Sequence, residues 1–222
     1  MLDFILSKLN MLILVTALFA IGTYFAFYLG QSLEQQQSNT VLSRVIEDVF
    51  GVVGSSSICH QVNLTLPPFI NTLGRTDTGN KLYYLFRVQR LENVEAVDVS
   101  GRPVNSVIFS IRDKKDGTIL AAQSINTIAN IMLFEWDSEA TGSDPVSIAS
   151  PQTDGSVFVE MNPQAVSPEN AVMIVKEVYN GQPTLFIIPC STYVRFQCET
   201  NLGAAVQLIT ASRSDARFNC IE

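Results

Sequence analysis

Patterns that bind metals or carry out catalysis are scarce in this sequence. It contains one histidine, His60, and no two of its four cysteines lie two to four residues apart, so the spacing typical of zinc sites is missing. No glycine-rich phosphate-binding loop and no Gly-x-Ser-x-Gly element occurs. We therefore expect no metal, no other cofactor, no small-molecule substrate and no enzymatic activity.

Basic residues are also few. The 222-residue chain carries 14 Lys and Arg against 21 Asp and Glu, which gives a formal net charge of -7. Nucleic acids and anionic lipid surfaces attract basic faces, so neither is expected to be the main partner. Charged residues make up 16% of the chain and apolar residues 47%, which is enough for a hydrophobic core and argues against disorder.

One long apolar run lies near the N-terminus. Met11–Leu29 holds nineteen residues without a charge, and a helix of that length spans about 28 Å, the hydrocarbon thickness of a bilayer. A cleaved signal peptide is the alternative, because Ala20-Ile21-Gly22 fits a small-x-small cleavage site. Cleavage there would expose the aromatic stretch 24–29 at a new N-terminus, so a permanent anchor is expected. Lys8 on the N-terminal flank predicts a cytoplasmic N-terminus and an extracytoplasmic segment 31–222.

Small residues recur every four positions at the end of this run, at Gly22, Ala26 and Gly30. This spacing lets two membrane helices approach closely, which makes the three positions candidate helix-packing contacts. The other interpretation is that glycine and alanine are simply frequent in membrane helices.

The helix is expected to continue beyond the membrane as an amphipathic stalk. Arg44, Glu47 and Asp48 lie on one face of residues 31–54, and Gly54 with the serines after it ends the helix. A helix from about Ile5 to Val53 would be about 70 Å long. The apolar residues of the stalk fall at the three-and-four spacing of a second face and are candidate packing positions: Val41, Leu42, Val45, Ile46, Val49, Phe50 and Val53.

The remainder of the chain is typical of β-structure. Runs of aromatic and β-branched residues predict strands at 81–88, 104–111, 129–136 and 191–198, with turns at Asp116-Gly117 and Asn180-Gly181. The stretch 138–156 is predicted as a polar loop, and 204–212 as a strand rather than a short helix. The predicted fold class is α+β, a long N-terminal helix followed by a mostly antiparallel, β-sandwich-like domain. Its regions are a cytoplasmic tip and transmembrane anchor (1–30), the helical stalk (31–54) and an extracytoplasmic β-rich domain (55–222).

The cysteines are expected to form disulfides. An even number of cysteines in an exported domain favours two bridges, and the sequence leaves all three pairings open. Asn63-Leu64-Thr65 is a glycosylation sequon, which predicts a glycan at Asn63 as one of two equally open outcomes. The four cysteines are Cys59, Cys190, Cys198 and Cys220.

One arrangement is similar to a sortase, a membrane-anchored cysteine transpeptidase. Cys190 follows an apolar strand, Arg195 comes shortly after it, and His60 is the one histidine available as a base. The threonine expected before the cysteine is Pro189, and three further cysteines favour a structural disulfide. This enzyme is kept as a distant alternative.

The whole architecture resembles the type IV pilin class, and in particular archaeal pilin-like surface proteins. A helix that is half apolar and half amphipathic leads into a β-rich, cysteine-bearing domain. The segment "ICHQVNLTLPPFI" (58–70), followed by "NKLYYLFRV" (80–88), looks like the one that succeeds the long helix in such proteins. The resemblance implies a surface filament in which apolar helices form the core and β domains the exterior.

Two departures from the pilin pattern leave other functions open. Leu9-Asn10 precedes the apolar run where a pilin leader would end in a small residue, and Met11–Leu29 contains no glutamate. The predicted function is therefore a pilin-like subunit or accessory component of a surface filament, with self-association through the N-terminal helix. The alternative is a membrane-anchored, adhesin-like binding module that does not polymerise.

Overall fold

A computed structural model shows one uninterrupted helix at the start of the chain. Helix α1 (Leu2–Gly54) has 53 residues and is about 80 Å long at the usual rise per residue. The predicted long helix is confirmed, with three more residues at its start and one more at its end. The structure describes residues 2–57, 59–72, 78–91, 104–136, 146–152, 156–163, 171–179, 182–190 and 203–207.

After the helix, the described residues form eleven strands and one short helical segment, α2 (203–207). The strands are β1 (His60–Thr65), β2 (Ile70–Asn71), β3 (Lys81–Leu82), β4 (Tyr84–Leu91), β5 (Asn105–Asp113), β6 (Ile119–Thr127), β7 (Asn130–Trp136), β8 (Val146–Ile148), β9 (Val157–Met161), β10 (Ala171–Tyr179) and β11 (Gln182–Cys190).

The strands make two main sheets and one small pair. The first sheet has the order β1-β10-β11-β7-β8, the second β6-β5-β4-β9, and β2 pairs with β3. All neighbouring strands run antiparallel except β11 and β7, which are parallel. This confirms the predicted α+β class with a mostly antiparallel, strand-rich domain.

Two predicted turns join neighbouring strands. β10 and β11 pair from Tyr179↔Gln182 to Ala171↔Cys190, as the Asn180-Gly181 signal predicts, although those two residues lie outside the described part. Between β5 and β6, Gly117 has a φ of 74°, a left-handed conformation that glycine adopts without strain. The Gly117 amide donates to the Asp113 carbonyl at 2.9 Å and closes the turn.

The core lies between the two main sheets. Alternate residues of β4 and β5, such as Phe86 and Phe109, share one buried cluster with Ile174 of β10 and Ile187 of β11. Arg90 Nη1 in β4 donates to the Ile131 carbonyl in β7 at 2.9 Å and so ties one sheet to the other.

Strands β10 and β11 are buried on both faces. Met173 and Phe186, which point away from the core cluster, are each 2% exposed, and Ile188 is fully buried. A strand that is covered on both faces needs an unbroken apolar run rather than an alternating one, and both strands have such runs.

Two sequence predictions were wrong in detail. The short strand β8 lies within 138–156, which was predicted as a polar loop. Residues 203–207 are helical, whereas 204–212 was predicted as a strand, of which 208–212 lie outside the described residues. Ala204 and Ala205 are buried and alanine is the best helix former. The predicted strand 191–198 lies outside the described residues.

Helix α1 contacts the outermost strand of each main sheet. It lies against β6 and β1, and also touches β10, β5 and β2. At its C-terminal end, Lys176 Nζ of β10 donates to the carbonyls of Val53 at 2.9 Å and Ser55 at 2.6 Å. The last turn of α1 contains no basic residue, so the sheet supplies the cation that a helix C-terminus favours.

We expect Lys176→Met to lower the free energy of unfolding of the full chain by about 2 kcal/mol, since two charge-assisted hydrogen bonds are lost at the helix end. Lys176→Arg should keep most of the stability, and Lys115→Met at an exposed turn should change little. Denaturant unfolding in detergent measures all three. Equal stabilities for the Lys176→Met and Lys115→Met variants would show that the cap contributes nothing.

Candidate interaction surface

The N-terminal half of α1 presents its apolar side chains to solvent. From Leu6 to Leu29 every large apolar side chain is exposed, and by its length and composition this half could span a membrane. Thr16 and Thr23 satisfy their hydroxyls within the helix, donating to the carbonyls of Leu12 at 2.7 Å and Phe19 at 2.8 Å. The exposed apolar residues are Leu6, Leu9, Met11, Leu12, Ile13, Leu14, Val15, Leu18, Phe19, Ile21, Tyr24, Phe25, Phe27, Tyr28 and Leu29.

The small residues of this half differ in exposure. A Cβ added at Gly22 would have no atom within 4 Å, and Ala26 is exposed while Gly30 is half-buried. Tyr24 and Tyr28 lie at the end nearest the β domain, the place that aromatic side chains favour at a membrane interface. Packing between helices at these three small residues stays a prediction.

The apolar stripe of the stalk packs onto the β domain of the same chain. Leu42, Val45, Ile46 and Val49 are at most 5% exposed, and Val41 and Val53 pack against the same core cluster. Val52, which was not predicted, is also fully buried. Its three-residue spacing from Val49 was the signal that could have identified it.

Phe50 differs from the other predicted stripe residues. Its side chain is 51% exposed, so Phe50 does not pack on the β domain as the rest of the stripe does. Each residue turns a helix by about 100°, which places Phe50 above Ser43 and Glu47 rather than beside Val49 and Val52. The role of Phe50 as a packing position against a neighbouring helix stays a prediction.

The contact between stalk and domain extends almost to the apolar half. Leu33, Glu34 and Gln37 are half-buried and Ser38 is fully buried. Ser38 lies about 12 Å along the helix from Gly30. Gln37 Oε1 and Ser38 Oγ are buried and have no hydrogen-bond partner in the described structure. The β domain therefore packs along one side of the stalk, not only against its C-terminal end.

The strand register separates two of the four cysteines. Cys59 is disulfide-bonded and directly precedes His60, which pairs with Lys176, whereas Cys190 pairs with Ala171 at the other end of β10. Five residues of strand span about 17 Å, and bonded cysteines have Cα atoms less than about 7 Å apart. This excludes a Cys59–Cys190 bridge. Cys198 and Cys220 lie outside the described residues.

The same register keeps the transpeptidase residues apart. His60 is exposed at the end of β1 that is remote from Cys190, so the two cannot form a nucleophile and base pair. Arg195 lies outside the described residues. Among the described side chains, no three His, Cys, Asp or Glu residues come together as a potential metal site.

Asn63 is accessible. It lies in the middle of β1, the outermost strand of its sheet, opposite Met173 of β10. Its side chain is exposed, whereas the next residue, Leu64, is 2% exposed and points into the core. A glycan on Asn63 would therefore project into solvent without disturbing the packing.

Comparison with known proteins adds no assignment. The chain matches no protein-family model, no curated protein and no solved structure.

We expect Val49→Ala to lower the free energy of unfolding by about 2 kcal/mol, because it empties a buried site in the joint between stalk and domain. Phe50→Ala, one position along, should change it by less than about 0.5 kcal/mol because that side chain is exposed. Thermal and denaturant unfolding of the full chain compares the two. A larger loss of stability for Phe50→Ala than for Val49→Ala would show that the buried stripe has been assigned to the wrong face of the helix.

The disulfide connectivity can be read directly. Proteolysis of the unreduced protein followed by mass spectrometry should yield no peptide pair that joins Cys59 to Cys190. Cys59 should instead appear bonded to a peptide carrying Cys198 or Cys220, and reduction should release it. A Cys59–Cys190 peptide in the natively folded protein would contradict the pairing of β1 with β10.

Proposed function

We propose that this protein is a membrane-anchored structural or interaction protein of the cell surface, and a pilin-like subunit or accessory component of a filament. One observation carries the proposal. A single unbroken helix is apolar and exposed from Leu6 to Leu29, and from Ser38 to Val53 the same helix forms part of the core of a β domain.

The apolar half needs a non-aqueous environment. Burying one large apolar side chain is favourable by about 2 kcal/mol. Transfer of the whole exposed set out of water is therefore favourable by roughly tens of kcal/mol. Lipid or the same segment of other copies supplies that environment equally well. A filament subunit would meet both environments, because it resides in the lipid of a membrane before it assembles with other copies.

The proposed topology has the N-terminus in the cytoplasm and the β domain outside. Lys8 on the N-terminal flank supports this orientation. The disulfide at Cys59 supports it independently, because disulfides persist in oxidising compartments. A glycan at the exposed Asn63 belongs to the same proposal, and a mass increase of the peptide that carries Asn63 would reveal it.

A non-polymerising, adhesin-like module is the second candidate. It is favoured by the stalk stripe, which is already covered by the domain of the same chain, so a monomer needs only lipid to satisfy its apolar surface. The net charge of -7 argues against nucleic acid as a partner of either candidate.

The test is the location of the full-length chain in its own cells. We expect it to resist extraction by alkaline carbonate, and to occur in sheared extended filaments that an antibody to the β domain labels along their length. Leu18→Lys should weaken membrane retention measurably without abolishing it, because a charge at the centre of the span costs about 3 kcal/mol against the larger gain from the apolar side chains around it. Ile119→Lys on the exposed end of β6 is the matched control.

The outcomes separate the candidates. Membrane retention with no labelled filament would favour the anchored module over the filament subunit. Release of the wild-type chain from membranes by alkaline carbonate would refute the membrane anchor and with it both candidates.

A further inference from the structure

We propose that the end of the β domain nearest the apolar half of α1 docks on the anionic headgroups of the bilayer that holds this helix. We call this end the basal tip. It comprises the turn between β5 and β6 and the neighbouring β2–β3 pair, with the side chains Phe69, Lys81, Tyr83, Lys114, Lys115 and Ile119. The inference rests on the proposed membrane anchor and adds a second contact of the same chain with lipid.

The strand order places the basal tip and the C-terminal end of α1 at opposite ends of the β domain. Lys176 of β10 contacts the last turn of α1. One residue further along β10, the pairing leads through Thr184 of β11 to Asn130, the first residue of β7. β7 begins three residues after β6 ends at Thr127. The end of β6 therefore lies near the end of α1, and its first residue, Ile119, lies about 25 Å away.

A second path through the fold gives the same placement. β1 begins beside the C-terminal end of α1 and extends about 17 Å to Thr65. Two residues later, the Pro67 carbonyl accepts a hydrogen bond from the Tyr84 hydroxyl at 2.6 Å. Tyr84 itself pairs with Asp113, the last residue of β5 before the turn. The turn and the β2–β3 pair therefore lie together at the end of the domain that is remote from the C-terminus of α1.

Distances along α1 bring the basal tip to the level of the lipid headgroups. α1 lies against β6, and side chains on one side of the helix are covered from Val53 back to Leu33, about 30 Å of helix. β6 accounts for about 25 Å of that length, and the turn before it extends further. Leu33 is about 6 Å along the helix from Leu29, the last residue of the apolar half. The headgroup layer is about 6 Å thick on each side of the hydrocarbon, so the tip meets this layer.

The basal tip is basic, although the whole chain is acidic. Lys114 and Lys115 are exposed, and with Lys81 they make three of the five lysines of the chain. The two carboxylates of the turn are directed at its backbone. Oδ1 of Asp113 and Oδ1 of Asp116 each accept the backbone amide two residues further on, at 2.8 and 2.9 Å. Basic side chains close to an anionic bilayer are attracted to its surface, and the net charge of -7 does not describe this end.

Apolar and aromatic groups accompany these charges. Ile119 is 51% exposed where β6 leaves the turn. The rings of Phe69 and Tyr83 meet edge to face with their centroids 6.4 Å apart, and Lys81 Nζ lies 4.5 Å from the Phe69 centroid. The Lys114 amide donates to the Tyr83 carbonyl at 3.1 Å, which joins this cluster to the turn. Lysine and tyrosine, which combine an apolar body with a polar end, are favoured at the interface between lipid and water.

The experiment uses the full-length, unreduced chain in phosphatidylcholine vesicles that contain phosphatidylglycerol. A fluorophore is attached at Thr118→Cys in the turn or, as the matched control, at Ile128→Cys, an exposed position just after the other end of β6. Lipids that carry a quenching nitroxide at one shallow depth are added either as phosphatidylglycerol or as phosphatidylcholine. A difference in quenching between the two then reports a preference for one headgroup.

We expect labelled phosphatidylglycerol to quench the Thr118→Cys fluorophore about fivefold more than labelled phosphatidylcholine, a ratio that corresponds to about 1 kcal/mol. Lys114→Gln with Lys115→Gln should remove most of this preference, and so should high salt. Gln61→Glu with Ile128→Glu lowers the net charge by the same two units at the opposite end of the domain and should leave the preference unchanged. All four residues are exposed, so thermal unfolding of both double variants should match that of the parent. The Ile128→Cys fluorophore, about 30 Å away, should be quenched little by either lipid.

The failures are distinguishable. Equal quenching of the Thr118→Cys fluorophore by the two lipids would overturn the recognition of anionic headgroups. No quenching there, in a chain that floats with the vesicles, would overturn the placement of the basal tip and leave the membrane anchor standing. A chain that does not float with the vesicles would refute the anchor itself and with it this inference.

Discussion

The joint between α1 and the edges of the two sheets is the contact on which the rest of the structure depends. One side of the stalk, from Leu42 to Val52, fills the core where β6 and β1 are the outermost strands. Lys176 then holds the end of the helix by its last carbonyls. Because an unbroken helix transmits position along its whole length, this joint also fixes how the apolar half projects from the domain.

The first sheet is suited to hold such a joint because its central strands cannot easily move. β10 and β11 are buried on both faces, and a well-packed interior resists small displacements. Lys176 lies on β10, so the cap on the helix belongs to the most enclosed part of the domain rather than to a loop. The exposed Asn63 and the disulfide-bonded Cys59 belong to β1 and the residue just before it, outside that enclosed centre.

Much of the fold could be predicted because its signals are local. The apolar run Met11–Leu29, the three-and-four spacing from Val41 to Val49, and the glycine of the turn at Gly117 each report on their own segment. Signals that depend on distant partners were missed. β8 exists because it pairs with β7, and the parallel pairing of β11 with β7 has no trace in either strand. Phe50 shows the same limit, since spacing alone placed it at the border of the buried stripe and only the position of the sheets decides its side.

The stalk stripe packs on the β domain of its own chain, which leaves fewer surfaces for contacts between copies. Side chains such as Val45 and Val49 are already enclosed by the β domain, so they are not available to a neighbour. On α1, contacts between copies are left to the surfaces that the domain does not cover, which are the apolar half and the exposed side of the stalk. The apolar half exposes its large side chains on every side, whereas the exposed side of the stalk carries polar residues such as Asn39 and Glu47 and one aromatic residue, Phe50. In the proposed filament, the helix-to-helix contacts between copies would therefore involve the apolar half of α1 and not the stripe that the β domain encloses.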